Sequence, residues 1–258
     1  MTPETPLPTA QTPPYGGRMA TSRFHGISIE CSDPVLVGRF WAGVLGWELV
    51  EQTSEEVAAL PHDGTDYRLT LRRADTPKLG QNRIHLDLPS RSGADMTATV
   101  DRALALGGRH IDIGQTAADG HVVLADPEGN ELCVIEPGNT FLADTGVIGG
   151  INCDGSHALG VFWSEVLGWP LVWDQDEETA IQSPTGGSKI TWSGPPLMPR
   201  LGRDRFHLEL AVPSPDDLEP EVRRLVGLGA IEQPGAAPTD SARALIDPDG
   251  NEFRVLVT

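Results

Sequence analysis

Basic residues are scarce in this chain: 19 lysines and arginines stand against 37 aspartates and glutamates, a formal net charge of −18. That imbalance argues against a nucleic-acid or anionic-membrane partner, because phosphate contacts need clustered Lys and Arg. Long apolar runs are missing too, and nothing approaches the roughly 18 consecutive apolar residues of a membrane helix. Cysteine is rare: Cys31, Cys133 and Cys153, with no CxxC pair. An odd, scattered set is a poor disulfide framework and fits a reducing compartment, so a cytoplasmic location is expected. The N-terminus, MTPETPLPTAQTPPYGGRM, lacks both the basic and the apolar segment of a signal peptide. Residues 1–21 read as a disordered, Pro-rich tail, with Met1 and Met19 both candidate starts.

What is present is repetition. GRFWAGVLGWELV (38–50) matches GVFWSEVLGWPLV (160–172), and NRIHLDL (82–88) matches DRFHLEL (204–210). VDRALALGG (100–108) matches VRRLVGLGA (222–230), and LADPEGNELCVI (124–135) matches LIDPDGNEFRVL (245–256). Four blocks in one order with nearly constant spacing make the chain two copies of one domain. The copies cover 22–136 and 146–258, joined by a linker at 137–145. The full length allows each copy its own core.

Each copy alternates strand and helix signals. RFHGISIEC (23–31) reads as a strand with Ile27, Ile29 and Cys31 on the side of His25, and Gly26, Ser28 and Glu30 opposite. Asp33-Pro34 supplies a helix cap and a first-turn proline, and Gly46 supplies the left-handed stop. Strands follow near 47–52, 56–60 and 67–73. The pattern then restarts with a strand at 82–88, a helix ending at Gly107, and strands near 109–113, 121–125 and 131–136. In the second copy Pro220 is expected to delay the second helix, because proline suits a first turn. DPEGN and DPDGN are hairpin turns by their chemistry. Trp41 and Trp163 fall on helical core stripes, so packing explains them better than a ligand clamp.

FWAGVLGW, NRIHLDL and DPEGNELCVI, in this order and twice over, resemble the vicinal oxygen chelate superfamily, in particular its glyoxalase-like and bleomycin-resistance-like domains. The resemblance spans residues 22–258. It implies an α+β fold of two tandem domains, each of paired βαβββ modules forming a curved sheet around a concave pocket, with helices outside. It further implies a single-chain pseudo-dimer, so the molecule is expected to be a monomer or a weak homodimer. The superfamily spans metal-dependent enzymes and antibiotic-sequestering proteins, and fold does not choose among them.

In metal-dependent members, His and Glu ligands come from the first and last strands of each module. Here His85 and His207 match the first-strand position of the second module. The last-strand position holds Cys133 in one copy and Arg254 in the other, and arginine cannot ligate a cation. The first-module positions fall on Gly26 and Ile148, with His25 one residue off register, and the fourth near Thr70 and Thr191. No metal is therefore expected. If one binds, the candidate set is His25, His85 and Cys133, taking Zn, Ni, Fe or Mn; an extradiol dioxygenase is disfavoured.

On the strand NRIHLDL, Ile84, Leu86 and Leu88 form an apolar face, while Arg83, His85 and Asp87 point to the presumed cavity. Arg205, His207 and Glu209 repeat that pattern. His85 with Asp87 suits acid–base work or a hydrogen-bonded pocket wall. Arg83 and Arg205 either grip a ligand carboxylate or pair with Asp87 and Glu209. Cys133 is a nucleophile only with a lowered pKa and otherwise a small hydrophobe. Arg200 and Arg203, in the loop before the second His strand, can meet an anion at a pocket rim.

The expected function is binding of a small, partly apolar organic molecule without a catalytic metal, as in sequestering an antibiotic or toxic metabolite. Arg83, His85, Asp87 and Cys133 form the preferred site, with Arg205, His207, Glu209 and Arg254 as the second. The alternative is a lyase, isomerase or hydrolase of the glyoxalase type, with His85 as acid–base or metal ligand.

Overall fold

A computed structural model describes residues 22–51, 53–75, 77–116, 120–236 and 238–258. The expected N-terminal tail lies outside the described residues. Four βαβββ modules follow one another. The first comprises β1 (Arg23–Cys31), α1 (Pro34–Leu45), β2 (Glu48–Glu51), β3 (Glu56–Leu60) and β4 (Arg68–Arg73). The second comprises β5 (Ile84–Pro89), α2 (Gly93–Ala105), β6 (Arg109–His110), β7 (Val122–Ala125) and β8 (Glu131–Ile135). The third runs through β9 (Gly150–Cys153), α3 (His157–Leu167), β10 (Leu171–Gln175), β11 (Glu178–Gln182) and β12 (Lys189–Trp192). The fourth holds β13 (Phe206–Val212), α4 (Pro215–Leu228), β14 (Ile231–Glu232), β15 (Ala242–Ile246) and β16 (Glu252–Val257).

Local chemistry explains the helix ends. The Asp33 carboxylate accepts from the Leu36 amide at 3.0 Å, and Gly46 closes α1 at φ 72°. Ser156 and Gly168 do the same for α3. Pro220 departs from expectation. Ser214 caps α4 and Pro215 takes its first turn, so the helix begins upstream and carries Pro220 inside.

Modules pair across the repeats. The first sheet has the order β14-β15-β16-β13-β1-β4-β3-β2, and the second β10-β11-β12-β9-β5-β8-β7-β6. The seams are antiparallel: β1 against β13, with Ser28 opposite His207, and β5 against β9, with His85 opposite Asn152. Each eight-stranded sheet thus takes one module from each repeat, which removes two open strand edges per sheet. The helices tie the repeat back together, α1 packing on α2 and α3 on α4. The helix-side faces of both sheets share one apolar core, including Ile27, Trp41, Leu86, Trp163 and Phe253.

The paired Trp and turn motifs hold these layers in register. The Trp41 indole donates to Asp126 at 3.1 Å, and Trp163 to Asp247 at 3.3 Å. Each aspartate also gathers amides of its own hairpin, including those of Asn130 and Asn251. Both tryptophans are buried, so they are packing residues and turn anchors.

Candidate functional site

On each sheet, the face away from the helices carries the polar side chains of the alternating strands. In the second sheet, one cross-strand row runs His85, Asn152, Thr191, Ala180, Trp173. Beside it lies a row with Cys133, Asp87, Gly150, Lys189 and Gln182. Residues directly opposite one another share a face, so both repeats build this surface.

His85 and Asp87 stand two residues apart on β5 with Nε2 and Oδ1 3.3 Å apart. Cys133 sits beside Asp87 on β8, and the ligand atoms of all three residues lie within 4.8 Å of one another. Burial opposes charge on the imidazole, but hydrogen bonds to Asp87 and Cys133 and the Asp87 charge overcome it, pushing the pKa up to about 10. The Asp87 carboxylate thus favours the protonated ring. Burial raises the Cys133 thiol despite the His85 contact, so it holds its proton. The His85 side chain is 27% exposed and Asp87 14%, leaving the ring within reach of solvent. On the same row the buried Thr191 hydroxyl has no partner.

The first sheet's polar face is built differently, as a web of ion pairs. Arg72 reaches Glu209 at 2.6 Å and Glu56 at 2.7 Å. Arg254 reaches Glu30 at 2.7 Å and lies 3.9 Å from Glu209. His207 faces Glu252 at 3.4 Å, and Glu252 also takes Arg200 and Arg203. Burial works to raise Glu252, but His207 and the two arginines bring its pKa down to about 2. Glu209 is completely buried, with one oxygen unpartnered.

Several expected residues sit elsewhere than the sequence suggested. A β-bulge between Phe24 and Gly26 breaks the alternation. His25 therefore faces away from Ile27, Ile29 and Cys31, among Arg68, Glu209 and Arg72. Burial and the Arg68 charge lower its pKa to about 4. His25 belongs to the first sheet, whereas His85 and Cys133 belong to the second, so those three do not come together; Asp87 completes the donor cluster instead. Arg83 pairs with Asp154 at 2.7 Å and Arg205 with Glu128 at 2.6 Å, neither with the carboxylate four residues along its chain, Asp87 or Glu209. Both also donate to the backbone carbonyl of a DPxG turn, Asp249 and Glu128 respectively, so they act as internal stitches. Arg254 and Glu209 are tied to each other's neighbours in the first sheet. Asn152 and Lys189 join this face although each copy was expected to build its own, because β9 of the second repeat pairs with β5 of the first.

The four-ligand metal set of the superfamily does not fit either face. The first sheet offers His25, Thr70, His207 and Arg254, a cation where a carboxylate is needed. In the second, Ile148 is buried in the apolar core, leaving Thr191, His85 and Cys133. The local cluster His85, Asp87 and Cys133 does fit a zinc-class ion in donor type and spacing, once the imidazolium and thiol protons leave.

Paired βαβββ modules with polar, curved inner faces define a vicinal oxygen chelate protein. The Glyoxalase-like domain family model matches residues 26–135 and again 150–256, so the chain belongs to that family. Among solved structures it is similar to glyoxalase I from Zea mays, with TM-score 0.61, 14% identity and 92% of each chain covered. It is also similar to a putative dioxygenase from Bacillus subtilis subsp. subtilis str. 168, with TM-score 0.61 and 16% identity over 91% of this chain and 84% of that one. At such identities the likeness is one of fold. No curated protein matches the chain in sequence. No helix among the described residues is long and apolar enough to cross a membrane.

Proposed function

We propose that this protein binds a small, partly apolar organic molecule on the polar face of the second sheet, without a catalytic metal. The supporting observation is the partly exposed His85 ring, with Nε2 3.3 Å from Asp87 Oδ1. Asp87 favours its protonated, donating form, on a face that also carries Asn152 and the unpartnered Thr191 hydroxyl. Such a group recognises a carbonyl or anionic oxygen. Cys133 and Val123 offer apolar contact beside it. Sequestration of an antibiotic or toxic metabolite is the role that matches binding without turnover. The first sheet's face, closed by its own ion pairs, takes no part.

The test is a melting-temperature screen of the tag-free protein against a panel of carbonyl and carboxylate compounds. A ligand at 100 times its Kd stabilises the native state by about 2.7 kcal/mol. A hit whose shift disappears in His85→Ala supports the reading, and a hit that persists in that variant refutes it.

A second reading is favoured by the His85, Asp87 and Cys133 cluster: an enzyme of the glyoxalase type, a lyase, isomerase or hydrolase. His85 would move a proton at a carbon beside a carbonyl, with Asp87 holding its ring. A metal held by the three residues would supply Lewis-acid polarisation of a bound oxygen. Near-stoichiometric metal in protein purified without a His-tag, lost with turnover on chelation, would decide for this reading. Metal-free protein that binds and does not turn over its ligand decides for the first.

A further inference from the structure

Connecting segments normally run over the surface with their apolar side chains few and exposed. The segment between the repeats does otherwise. Leu142 is buried and packs on Val123, Cys133 and Ile135 in an apolar cluster separate from the main core. Its Cδ2 lies 3.6 Å from where a Cβ on Gly150 would stand, and Asp87 borders the same point at 3.2 Å. Phe141 lies edge-on to Trp173 with centroids 5.7 Å apart, and the Lys189 ammonium sits 4.5 Å from its ring centroid. Both side chains therefore rest on the polar face of the second sheet, Leu142 next to Asp87 on β5 and Phe141 toward Lys189 on β12 and Trp173 on β10.

What holds the segment there is slight. The Leu142 amide donates to Asn139 at 3.1 Å, the Thr145 hydroxyl donates to the Leu142 carbonyl at 2.7 Å, and Lys189 donates to the Phe141 carbonyl. The first two bonds are internal to the segment and survive its movement as a unit. Contact with the sheet then rests on one small cluster, one aromatic pair, one ammonium and an Asn139 amide donation to Glu136 at 3.4 Å. Segments with few apolar anchors are drawn from the low-stability end of local opening.

We propose that residues 139–145 are a displaceable cover on the second-sheet site, and that Phe141 and Leu142 stand where parts of the bound molecule go. This rests on the reading of that face as the binding site, and it narrows the ligand class. The incoming molecule carries a ring to replace Phe141 against Lys189 and Trp173, by cation–π and edge contact. It carries an aliphatic part for the Val123 and Ile135 surface, and an oxygen for His85.

Cys133 lies beneath Leu142, which makes its thiol a reporter. The experiment treats the native full chain with a disulfide-exchange thiol reagent and follows each cysteine by peptide mass spectrometry. Cys31 and Cys153, buried in the main core, are the internal controls. Leu142→Ala is expected to speed Cys133 labelling at least about tenfold, and Lys189→Met a few-fold, with both controls unchanged. Anilinonaphthalene sulfonate, a ring-bearing anion, is expected to bind Phe141→Ala more tightly than the parent and to protect Cys133. The cover is refuted if Cys133 labels no faster than Cys31 and Cys153 in every variant, or if the dye binds all forms equally without protection. Fast Cys133 labelling with no His85-dependent ligand in the panel would keep the cover and discard the binding reading. A His85-dependent ligand whose affinity ignores Leu142→Ala and Phe141→Ala would do the reverse.

Discussion

The two polar faces are built from equivalent strands, yet one is closed by charge and the other is covered by a loop. At the position of Cys133 the fourth module places Arg254, and the guanidinium recruits Glu30 and lies near Glu209, which in turn holds Arg72. One basic residue thereby links Glu30 and Glu209 into a lattice of ion pairs. The second sheet keeps a neutral thiol there. Its His85 ring has only a partly exposed carboxylate beside it, so it retains capacity for a visitor. The lesson is that one substitution on equivalent strands, arginine for a thiol, changes a face from neutral to ion-paired with no change of fold.

The largest effect should come from breaking the lattice. Glu209→Ala strips the acid from between Arg72 and Arg254 in a fully buried place, and is expected to cost about 3–5 kcal/mol in urea denaturation. Asp87→Ala, on the more open face, should cost about 2 kcal/mol, and equal losses would erase the contrast. Next comes ligand dependence. His85→Ala should abolish a compound-induced rise in melting temperature that His207→Ala, whose ring faces Glu252, leaves intact.

The pH profile of stability should separate the faces as well. His85 titrates above its unfolded value of 6.5, so its contribution is full below pH 6.5 and lost as pH climbs toward about 10. The first sheet fails on the acid side. His25, held neutral by burial, gives up stability as pH falls from 6.5 to about 4, because the unfolded chain takes the proton first. Glu252 follows between 4.5 and about 2 as its partners lose a carboxylate. Denaturation midpoints of His85→Gln should therefore flatten the alkaline limb alone. The smallest effect is expected from Trp41→Phe and Trp163→Phe, each losing one indole hydrogen bond for about 1 kcal/mol. A large difference between those two would mean that the repeats differ in their helix docking too.

Much of this architecture was legible in the chain. The helix starts at Asp33-Pro34, the stops at Gly46 and Gly168, and the alternation of β5 are local signals, each decided within a few residues. The placement of His85 and Asp87 on a polar face followed from the same alternation. Contacts that cross a strand or a seam were not legible. His25 was put on the wrong face because a bulge inserts one residue without a strong mark in the sequence, apart from the following Gly26. Arg83 and Arg205 found Asp154 and Glu128, more than 70 residues away, in preference to the acids beside them. Leu142 and Phe141 looked like linker, since hydrophobicity in a short connecting run carries no period to read.

Sequence by itself determined that there are two repeats of paired modules, where α1 begins and where α1 and α3 end, and which positions of β5 are apolar. Those are set by short-range sterics and by the period of side-chain placement, which every residue shows independently of its distant partners. Tertiary structure alone decided that each sheet borrows a module from either repeat, that Arg254 shuts one face, and that the connecting segment lies on the other. Strand-edge pairing is made by backbone groups that all residues possess, so the choice of partner is fixed by the packing of the whole and is written in no single stretch of the chain.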